Sequence, residues 1–239
     1  MQFPVTGISN YKGMKIIVSL TSWNKRIDQA KNTVDSILKQ TRKADLIRLN
    51  LDFDNFPKGF GDTPKWVNEY LDKYDNFKVK FEAADMKVWE KIIPTVYEEE
   101  GDYILVTVDD DVTYPETYLA EIEENMKDCD WLCTKSDEYT MGQYMAYGPR
   151  ATTALSLEVD YDFMKNVPLD DHGIYWILQK YKCKRGHKIK SECQDRQAGY
   201  SFRRFFMNTD DEANLQDTSG DYPFEEFKKE RAYMRSRGI

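Results

Sequence analysis

Residues 103–111 read Tyr-Ile-Leu-Val-Thr-Val-Asp-Asp-Asp. The first six are apolar, aromatic or β-branched, a pattern that predicts a strand buried on both of its faces. Three carboxyl groups follow at the point where this strand ends. In open α/β sheets, ligands bind beyond the carboxyl ends of the strands. The segment therefore predicts a parallel sheet and a ligand site at the edge where Asp109, Asp110 and Asp111 emerge.

The rest of the N-terminal half alternates between strand and helix patterns. Apolar runs predict strands at residues 14–20, 46–51 and 77–81. Apolar residues at helical spacing predict helices at residues 28–40, from Pro64 onward, and at 89–97, where Pro94 is expected to produce a kink. Lysines alternate with apolar residues in 77–81, which indicates a strand near an edge of the sheet. Strands that alternate with helices predict an α/β fold, with a mostly parallel central sheet flanked by helices.

The C-terminal half has weaker patterns. Pro115 suits the first turn of a helix over residues 116–126. Residues 131–134 have the pattern of a strand, and residues 173–181 have the pattern of a helix. Residues 139–157 are expected to form loop and strand. Because no repeat or low-complexity linker divides the chain, we expect a single domain over residues 14–239, preceded by an N-terminal arm of residues 1–13.

The composition excludes several classes of protein. Hydrophobic residues make up 41% and aromatic residues 14% of the 239, which is enough for one sizeable core. The 42 acidic residues outnumber the 34 basic ones, and the net charge of −8 argues against a nucleic-acid partner. No apolar run approaches the roughly 18 residues of a transmembrane segment, and no signal peptide is recognisable. Four cysteines without a Cys-x-x-Cys pair predict reduced thiols in a cytoplasmic protein.

The acidic triplet, Asp109 to Asp111, predicts a divalent-metal site. Alternate residues of an extended chain point the same way, so Asp109 and Asp111 are expected to converge while Asp110 points elsewhere. Converging carboxylates repel each other unless a cation lies between them. Mn²⁺ or Mg²⁺ would satisfy both and keep positions open for phosphate oxygens. A solvated acidic turn is the plainer alternative.

Three kinds of site suit carboxylates in this arrangement. A calcium loop is excluded, because its sixth position requires glycine and Tyr114 stands there. A phosphatase of the haloacid-dehalogenase type has an Asp-x-Asp-x-Thr motif after a strand, with Asp109 as nucleophile and Asp111 as acid or base. That motif usually opens its domain, whereas about three β/α units come first here. This phosphatase stays an alternative to the third kind, a transferase that binds a nucleotide sugar.

The transferase interpretation rests on a resemblance that extends beyond the triplet. Four segments resemble those of small GT-A glycosyltransferases: residues 17–27, 33–41, 85–94 and 106–115. The third contains Asp85-Met86-Lys87, Trp89, Lys91 and Pro94, and the fourth contains the triplet. Together they span about residues 14–125. They are most similar to bacterial surface-polysaccharide transferases and to chlorovirus transferases that modify capsid glycans.

The resemblance implies a GT-A, Rossmann-like fold, with residues 14–125 as the nucleotide-binding half and residues 126–239 as the acceptor half. It implies a Mn²⁺- or Mg²⁺-dependent hexosyltransferase that moves a sugar, with inversion, from a UDP-linked donor to a glycan or glycoprotein acceptor. The expected location is the cytoplasm, that of the host if the source is viral. A catalytically silent sugar-binding protein with a relic metal site is a further alternative.

The resemblance also implies roles on the donor side. The residues expected near the base, ribose or diphosphate are Thr21, Trp23, Arg26, Asp85, Lys87, Lys91, Asp109 and Asp110. Asp111 and Asp109 are the expected metal ligands. Lys87 and Lys91 lie four apart on a predicted helix, so they are expected to share a face. Trp23 as a core residue and the lysines as solvated surface groups are the plainer interpretations.

The acceptor side is expected at Asp170-Asp171-His172, which resembles the acidic pair of many inverting GT-A enzymes. We expect Asp171 to take the proton of the acceptor hydroxyl, with Asp170 beside it, and a plain helix cap is the alternative. His172 is a candidate for a base or a metal ligand and His187 for a metal ligand, with plain surface and loop histidines as the alternatives. The residues expected to line the sugar and acceptor cleft, with the arginine reaching the diphosphate, are Tyr144, Tyr147, Gly148, Arg150 and Trp176.

Overall fold

The computed structural model describes residues 11, 13–133, 145–186, 206–207 and 224–239. Its strands are β1 (Lys15–Thr21), β2 (Leu46–Asp52), β3 (Phe77–Glu82), β4 (Tyr103–Thr107), β5 (Val112–Thr113), β6 (Trp131–Cys133), β7 (Met145–Tyr147) and β8 (Phe206–Met207). Six of them form one sheet in the order β3–β2–β1–β4–β7–β6, while β5 and β8 pair separately. β1 to β4 run parallel, and β7 is antiparallel to β4 and β6. The predicted mostly parallel sheet, with residues 77–81 at its edge, is confirmed.

Helices flank this sheet. Within the described ranges they are α1 (Ile27–Leu38), α2 (Lys65–Lys73), α3 (Ile93–Glu98), α4 (Tyr118–Asn125), α5 (Pro149–Glu158), α6 (Tyr161–Asn166), α7 (Asp170–Lys180) and α8 (Phe224–Ser236). Short 3-10 turns occur at Gly59–Gly61, Lys87–Lys91 and Met126–Asp128. Over the same ranges, none of the helices combines the length and the apolar character that crossing a bilayer requires.

The central strand β1 is covered on both faces. Ile16, Val18 and Leu20 pack on one side with residues of α1, α2 and α4. Ile17 packs on the other side with residues of α3, α5 and α7. All four side chains are fully buried. Burial on both faces explains why this strand is a continuous apolar run in the sequence.

Two elements differ from the expectations. Residues 149–158 form helix α5 instead of loop and strand, because Pro149 occupies the first turn, where its missing N–H costs nothing. Residues 89–97 do not form one kinked helix. A 3-10 turn ends at Lys91, and α3 then begins with Pro94 in its first turn. Both prolines therefore start helices, and neither bends one.

The carboxyl ends of β1, β2 and β4 lie side by side. Ser19 on β1 is level with Thr107 on β4, and Thr21 on β1 is level with Asn50 on β2. The segments that leave these strands therefore meet at one edge of the sheet. This edge is where open α/β sheets bind ligands.

Candidate active site

Arg26 binds two of the three triplet carboxylates. It immediately precedes α1, and its side chain is 7% exposed. Its Nη2 forms an ion pair with Asp110 and lies 2.8 Å from Asp111 Oδ2. Ser22 Oγ donates a further hydrogen bond of 2.6 Å to Asp110. The loop after β1 is therefore tied to the triplet after β4.

The triplet is not arranged as the sequence predicts. β4 ends at Thr107, before the triplet begins, so the alternation of an extended strand does not continue through it. Asp110 and Asp111 converge on Arg26, and Asp109 faces a different cation. The expectation that Asp110 alone points elsewhere is wrong for this reason.

Burial raises the pKa of both carboxyl groups that face Arg26. The pKa of Asp110 rises to about 6, chiefly because the side chain is desolvated, although the charge of Arg26 and the hydrogen bond from Ser22 oppose this. The pKa of Asp111 is raised for the same main reason. Because one guanidinium serves two buried acids, their charge is not fully offset, and a further cation would be favoured nearby.

Lys91 joins the triplet to α7. Its Nζ lies 3.0 Å from Asp109 Oδ1 and 3.1 Å from Asp170 Oδ2. Burial opposes the charge of the amine, but the carboxylates of Asp109, Asp170 and Asp171 outweigh this and hold the pKa of Lys91 well above its usual range. The ammonium group therefore stays charged and links two acidic segments that are far apart in the sequence.

Lys91 reaches this position because Lys87–Lys91 is a 3-10 turn and not the predicted α-helix. Three residues complete a turn of a 3-10 helix, so residues four apart do not share a face. Lys87 is exposed and has a left-handed backbone with φ of 53°. Its N–H donates to Asp85 Oδ1 over 2.6 Å. The expected common face of Lys87 and Lys91 is therefore wrong.

Close packing fixes the start of α7 against this turn. The Trp89 side chain is fully buried, and its indole N–H donates to the Val167 carbonyl oxygen over 2.8 Å. Gly173 lies against the same ring. A Cβ on Gly173 would lie 3.0 Å from Trp89 Cη2 and 2.9 Å from Phe163 Cε1. Any side chain at this position would push α7 away from the turn that carries Lys91.

The acidic pair at the start of α7 is in two environments. Asp170 is 8% exposed and is held by Lys91, whereas Asp171 is half-buried. His172 is buried, with its Nδ1 3.1 Å from Glu230 Oε2 on α8. Asp171 is therefore the member of the predicted acceptor group with the most access to a ligand.

A second acidic cluster, which the sequence patterns do not predict as a unit, lies at the same edge of the sheet. Asp52, Asp85 and Glu90 each offer a carboxylate oxygen, and these atoms lie within 4.8 Å of one another. Thr21 Oγ1 donates to Glu90 Oε2 over 2.7 Å. Burial raises the pKa of Glu90 to about 8, although hydrogen bonds from Thr21 and from the Met86 N–H oppose the shift. The sequence contains only a slight signal for this cluster, because Asp52 ends β2 and Asp85 follows β3.

Trp23 and Asp85 keep contact with solvent. Trp23 is half-buried in the loop before α1 and belongs to neither core cluster. The Nζ of Lys25 lies 5.3 Å from the centroid of its ring. Asp85 is exposed, and its N–H donates to Asp54 Oδ2 over 3.0 Å. Trp23 is thus a loop residue and not the core residue of the plainer interpretation.

Three residues expected in the cleft lie elsewhere. β7 runs antiparallel to β4, so the chain leaves the site along it. Gly148 and Arg150 follow β7 at the opposite edge of the sheet, and the Arg150 guanidinium donates to the carbonyl oxygen of Tyr181, the residue that follows α7. Tyr147 is fully buried in the core. The structure therefore does not bring Arg150 to the triplet. Two further expected residues lie outside the described ranges, Tyr144 and His187.

The charged groups at the carboxyl ends of the strands suit a divalent cation. Asp109 and Asp111 each meet their cation through one oxygen, and a carboxylate has two. Among the described residues, Arg26 and Lys91 carry two positive charges, and they contact four carboxyl groups, those of Asp109, Asp110, Asp111 and Asp170. The cluster of Asp52, Asp85 and Glu90 is a second candidate place. Oxygen ligands of both sets suit Mn²⁺ or Mg²⁺.

Comparison with known proteins relates the fold to solved structures. No family model and no curated protein sequence matches the chain. TarS 1–349 of S. aureus has a TM-score of 0.52 at 15% identity, over 74% of this chain and 59% of that one. The mannosyltransferase PcManGT from Pyrobaculum calidifontis, in complex with GDP-Man and Mn²⁺, has a TM-score of 0.51 at 11% identity, over 83% and 62%. TarS 1–349 is also known in complex with UDP and with UDP-GlcNAc.

The likeness concerns the fold. The chain spans about three-fifths of the length of these two structures, and identities of 11% and 15% assign no individual residue. The sheet order, the parallel strands and the flanking helices are those described above. The chain therefore has an α/β fold of the GT-A, Rossmann-like type that glycosyltransferases use.

Proposed function

We propose that the protein is a metal-dependent glycosyltransferase that moves a sugar, with inversion, from a UDP-linked donor to a glycan or glycoprotein acceptor. The observation that carries this proposal is the position of Lys91, 3.0 Å from Asp109 and 3.1 Å from Asp170. It joins the triplet, which suits a diphosphate with its cation, to the start of α7, which suits an acceptor hydroxyl. A donor and an acceptor bound at these two segments would meet beside Lys91.

The donor would lie along the carboxyl ends of β1, β2 and β4. We assign the nucleoside to the side of β1 and β2, bordered by Thr21, Trp23 and Asp85. We assign the diphosphate to the side of the triplet, where Arg26 and Lys91 supply cationic groups. The fold shared with structures in complex with UDP-GlcNAc and GDP-Man supports a nucleotide sugar as the donor.

Asp111 and Asp109 are the proposed metal ligands. Mn²⁺ or Mg²⁺ bound there would offset the negative charge that develops on the departing nucleoside diphosphate. Asp110 has a different role, because Arg26 and Ser22 occupy both of its oxygens. It would hold the guanidinium in place beside the diphosphate.

Asp171 is the proposed general base. A base must reach the proton that it abstracts, and the half-buried Asp171 is more exposed than Asp170. Asp170 is engaged with Lys91, so we assign it to positioning. A single carboxylate that receives the proton of the acceptor hydroxyl is the arrangement that an inverting transfer requires.

A thermal-shift panel of nucleoside diphosphates, with and without Mn²⁺, tests the proposal. A ligand that binds only the folded state raises the melting temperature by mass action. We expect UDP with Mn²⁺ to give the largest shift, and we expect UDP-sugar hydrolysis to require the metal. A larger shift with GDP would overturn the UDP assignment. If no nucleotide shifts the melting temperature, the transferase proposal is wrong.

Variants separate the two candidate metal sites and the base. Asp111→Ala should abolish the Mn²⁺-dependent part of the UDP shift, whereas Glu90→Gln should keep it. Asp171→Asn should keep the UDP shift and lose sugar transfer. Asp72→Asn, at an exposed position on α2, is the matched control for a lost carboxylate. Metal binding and turnover that survive Asp111→Ala would contradict the proposal, and a beryllofluoride adduct at Asp109 would favour the phosphatase.

A further inference from the structure

A cleft opens between α7 and α8, at the face of α7 that carries Trp176. Its volume is about 140 Å³, and its lining residues are Trp176, Arg231, Met234, Arg235 and Ile239. Met234 is buried, and Trp176 is half-buried. The cleft therefore combines an aromatic and aliphatic lining with two arginines.

Contacts at both ends of the cleft hold the two helices side by side. Near the start of α7, His172 Nδ1 lies 3.1 Å from Glu230 Oε2, and both side chains are buried. Near its end, Lys180 Nζ donates to the Arg237 carbonyl oxygen over 3.4 Å. The cleft is thus a feature of a packed helix pair.

The described residues that line the cleft include two arginines and no acidic side chain, in a chain of net charge −8. The Arg231 guanidinium lies 4.8 Å from the centroid of the Trp176 ring, a cation–π distance that orients it. Arg235 is exposed, and the structure gives its guanidinium no hydrogen bond or ion pair with any described residue. Arg231 and Arg235 lie four apart on α8, so they share a face. A guanidinium in this position suits a carboxylate or phosphate group.

We infer that this cleft binds an acidic sugar residue of the acceptor glycan. Trp176 would pack against the apolar face of the sugar ring, as aromatic side chains do. Arg235 would bind the anionic substituent. The inference rests on the proposed function, because it names the class of acceptor for the same enzyme.

The position of the cleft fits a glycan longer than one sugar. Trp176 lies five residues after Asp171, which is about 7.5 Å along the helix axis, and on a different side of the helix. The cleft is therefore beside the proposed base and does not include it. An oligosaccharide would span the two places, with its acidic residue apart from the hydroxyl that receives the transfer.

Isothermal titration of the full chain with cellobiouronic acid and with neutral cellobiose tests this inference. We expect the acidic disaccharide to bind about fivefold more tightly at low salt, as an accessible ion pair allows. About 0.5 M NaCl should remove most of the difference by screening. Arg235→Gln should bring the affinity for the acid down to that for cellobiose. Lys229→Gln, an exposed cation on the same helix outside the cleft, should leave it unchanged.

Equal affinity for the two disaccharides would overturn the inference, and so would an Arg235→Gln variant that binds the acid as well as the parent does. Because Arg235 is exposed, its replacement should spare the fold, and the melting temperature checks this. The UDP shift, measured on the same samples, separates the two proposals. A UDP shift without a preference for the acidic disaccharide contradicts only the inference about the acceptor. If UDP gives no shift, the result contradicts the proposed UDP-dependent transferase itself.

Discussion

Arg26 and Lys91 organise the candidate site, because each cation serves two acids. Arg26 faces Asp110 and Asp111, and Lys91 faces Asp109 and Asp170. Arg26 and its two partners are all buried. Breaking a buried ion pair by removing one partner is costly, since the remaining charge is left without compensation.

Arg26→Met should therefore destabilise the protein by about 3–5 kcal/mol near pH 7. The loss should shrink toward about pH 5, because burial raises the pKa of Asp110 and Asp111 and protonated acids need no cation. Urea unfolding at about pH 5 and about pH 8 measures the effect. Adding Asp110→Asn to the variant should recover part of the stability. If the single variant is as stable as the parent protein at both pH values, the buried ion pairs of Arg26 do not stabilise the fold as expected.

Glu90 should make the stability depend on pH. Its pKa is raised from 4.5 to about 8 in the folded chain. Between these values the unfolded chain releases the proton while the folded chain keeps it, so stability falls as pH rises, by up to about 1.4 kcal/mol per pH unit. Glu90→Gln should remove this slope, and its stability relative to the parent protein should increase with pH. Metal-free urea titrations across this range are the measurement, and equal slopes for the two proteins would contradict the assignment.

At the scale of elements, the contact between the Lys87–Lys91 turn and α7 determines the distance between the proposed donor and acceptor sides. The contact has little room, because Gly173 lies against Trp89 and Phe163. A glycine inside a helix usually lowers its stability by about 1 kcal/mol relative to alanine. Its presence in α7 is explained by the close approach of these aromatic rings.

Gly173→Ala should lower the stability by about 1–3 kcal/mol, although alanine favours the helix, because the added methyl group overpacks the contact. It should also lower sugar transfer by moving Asp170 and Asp171 relative to Lys91. Asn68→Ala, at an exposed position in α2, is the control for helix propensity and should not destabilise. The melting temperature and the rate of transfer are the two measurements. A Gly173→Ala variant more stable than the parent protein would show that α7 is not held by this contact.

At the scale of the molecule, α8 packs against α6 and α7 from a distant part of the chain. Arg237 binds Asp160 through two hydrogen bonds of 2.9 Å. Tyr233 Oη donates to Asp162 over 2.6 Å. With the contact between Glu230 and α7, these bonds attach α8 to both α6 and α7. The orientation of α7, and with it the proposed base, therefore depends on residues of α8.

Glu230→Ala should lower the stability by about 1–3 kcal/mol, because it removes the carboxylate that faces His172 in a buried contact. It should also speed hydrogen exchange of the amides in α7. Tyr233→Phe keeps the ring and loses the hydrogen bonds of its hydroxyl group with Asp162 and Arg237. Because Arg237 keeps its bonds to Asp160, the change should cost about 1 kcal/mol or less and leave α7 protected. Exchange followed by mass spectrometry compares the two variants. Equal exchange in α7 would contradict the coupling between the two helices.

The periodicity of the sequence was sufficient to predict most of the N-terminal half. Strands β1 to β4 and helices α1, α2 and α4 lie within a few residues of their predicted bounds. Residues near one another in the chain determine whether a segment suits a buried strand or an amphipathic helix. The same locality explains why the triplet could be recognised: its carboxyl groups are contiguous and follow a strand.

Only the tertiary structure decided which groups face one another. Arg26 and Asp110 are 84 residues apart in the chain, and they meet because β1 and β4 are neighbours in the sheet. Lys91 meets Asp170 because the turn is a 3-10 turn and Gly173 admits the ring of Trp89. The sequence by itself determined the kinds of element in most of the N-terminal half and the place of the triplet at the end of β4. The pairing of charges depends on strand order and on close packing between distant segments, and local periodicity contains neither.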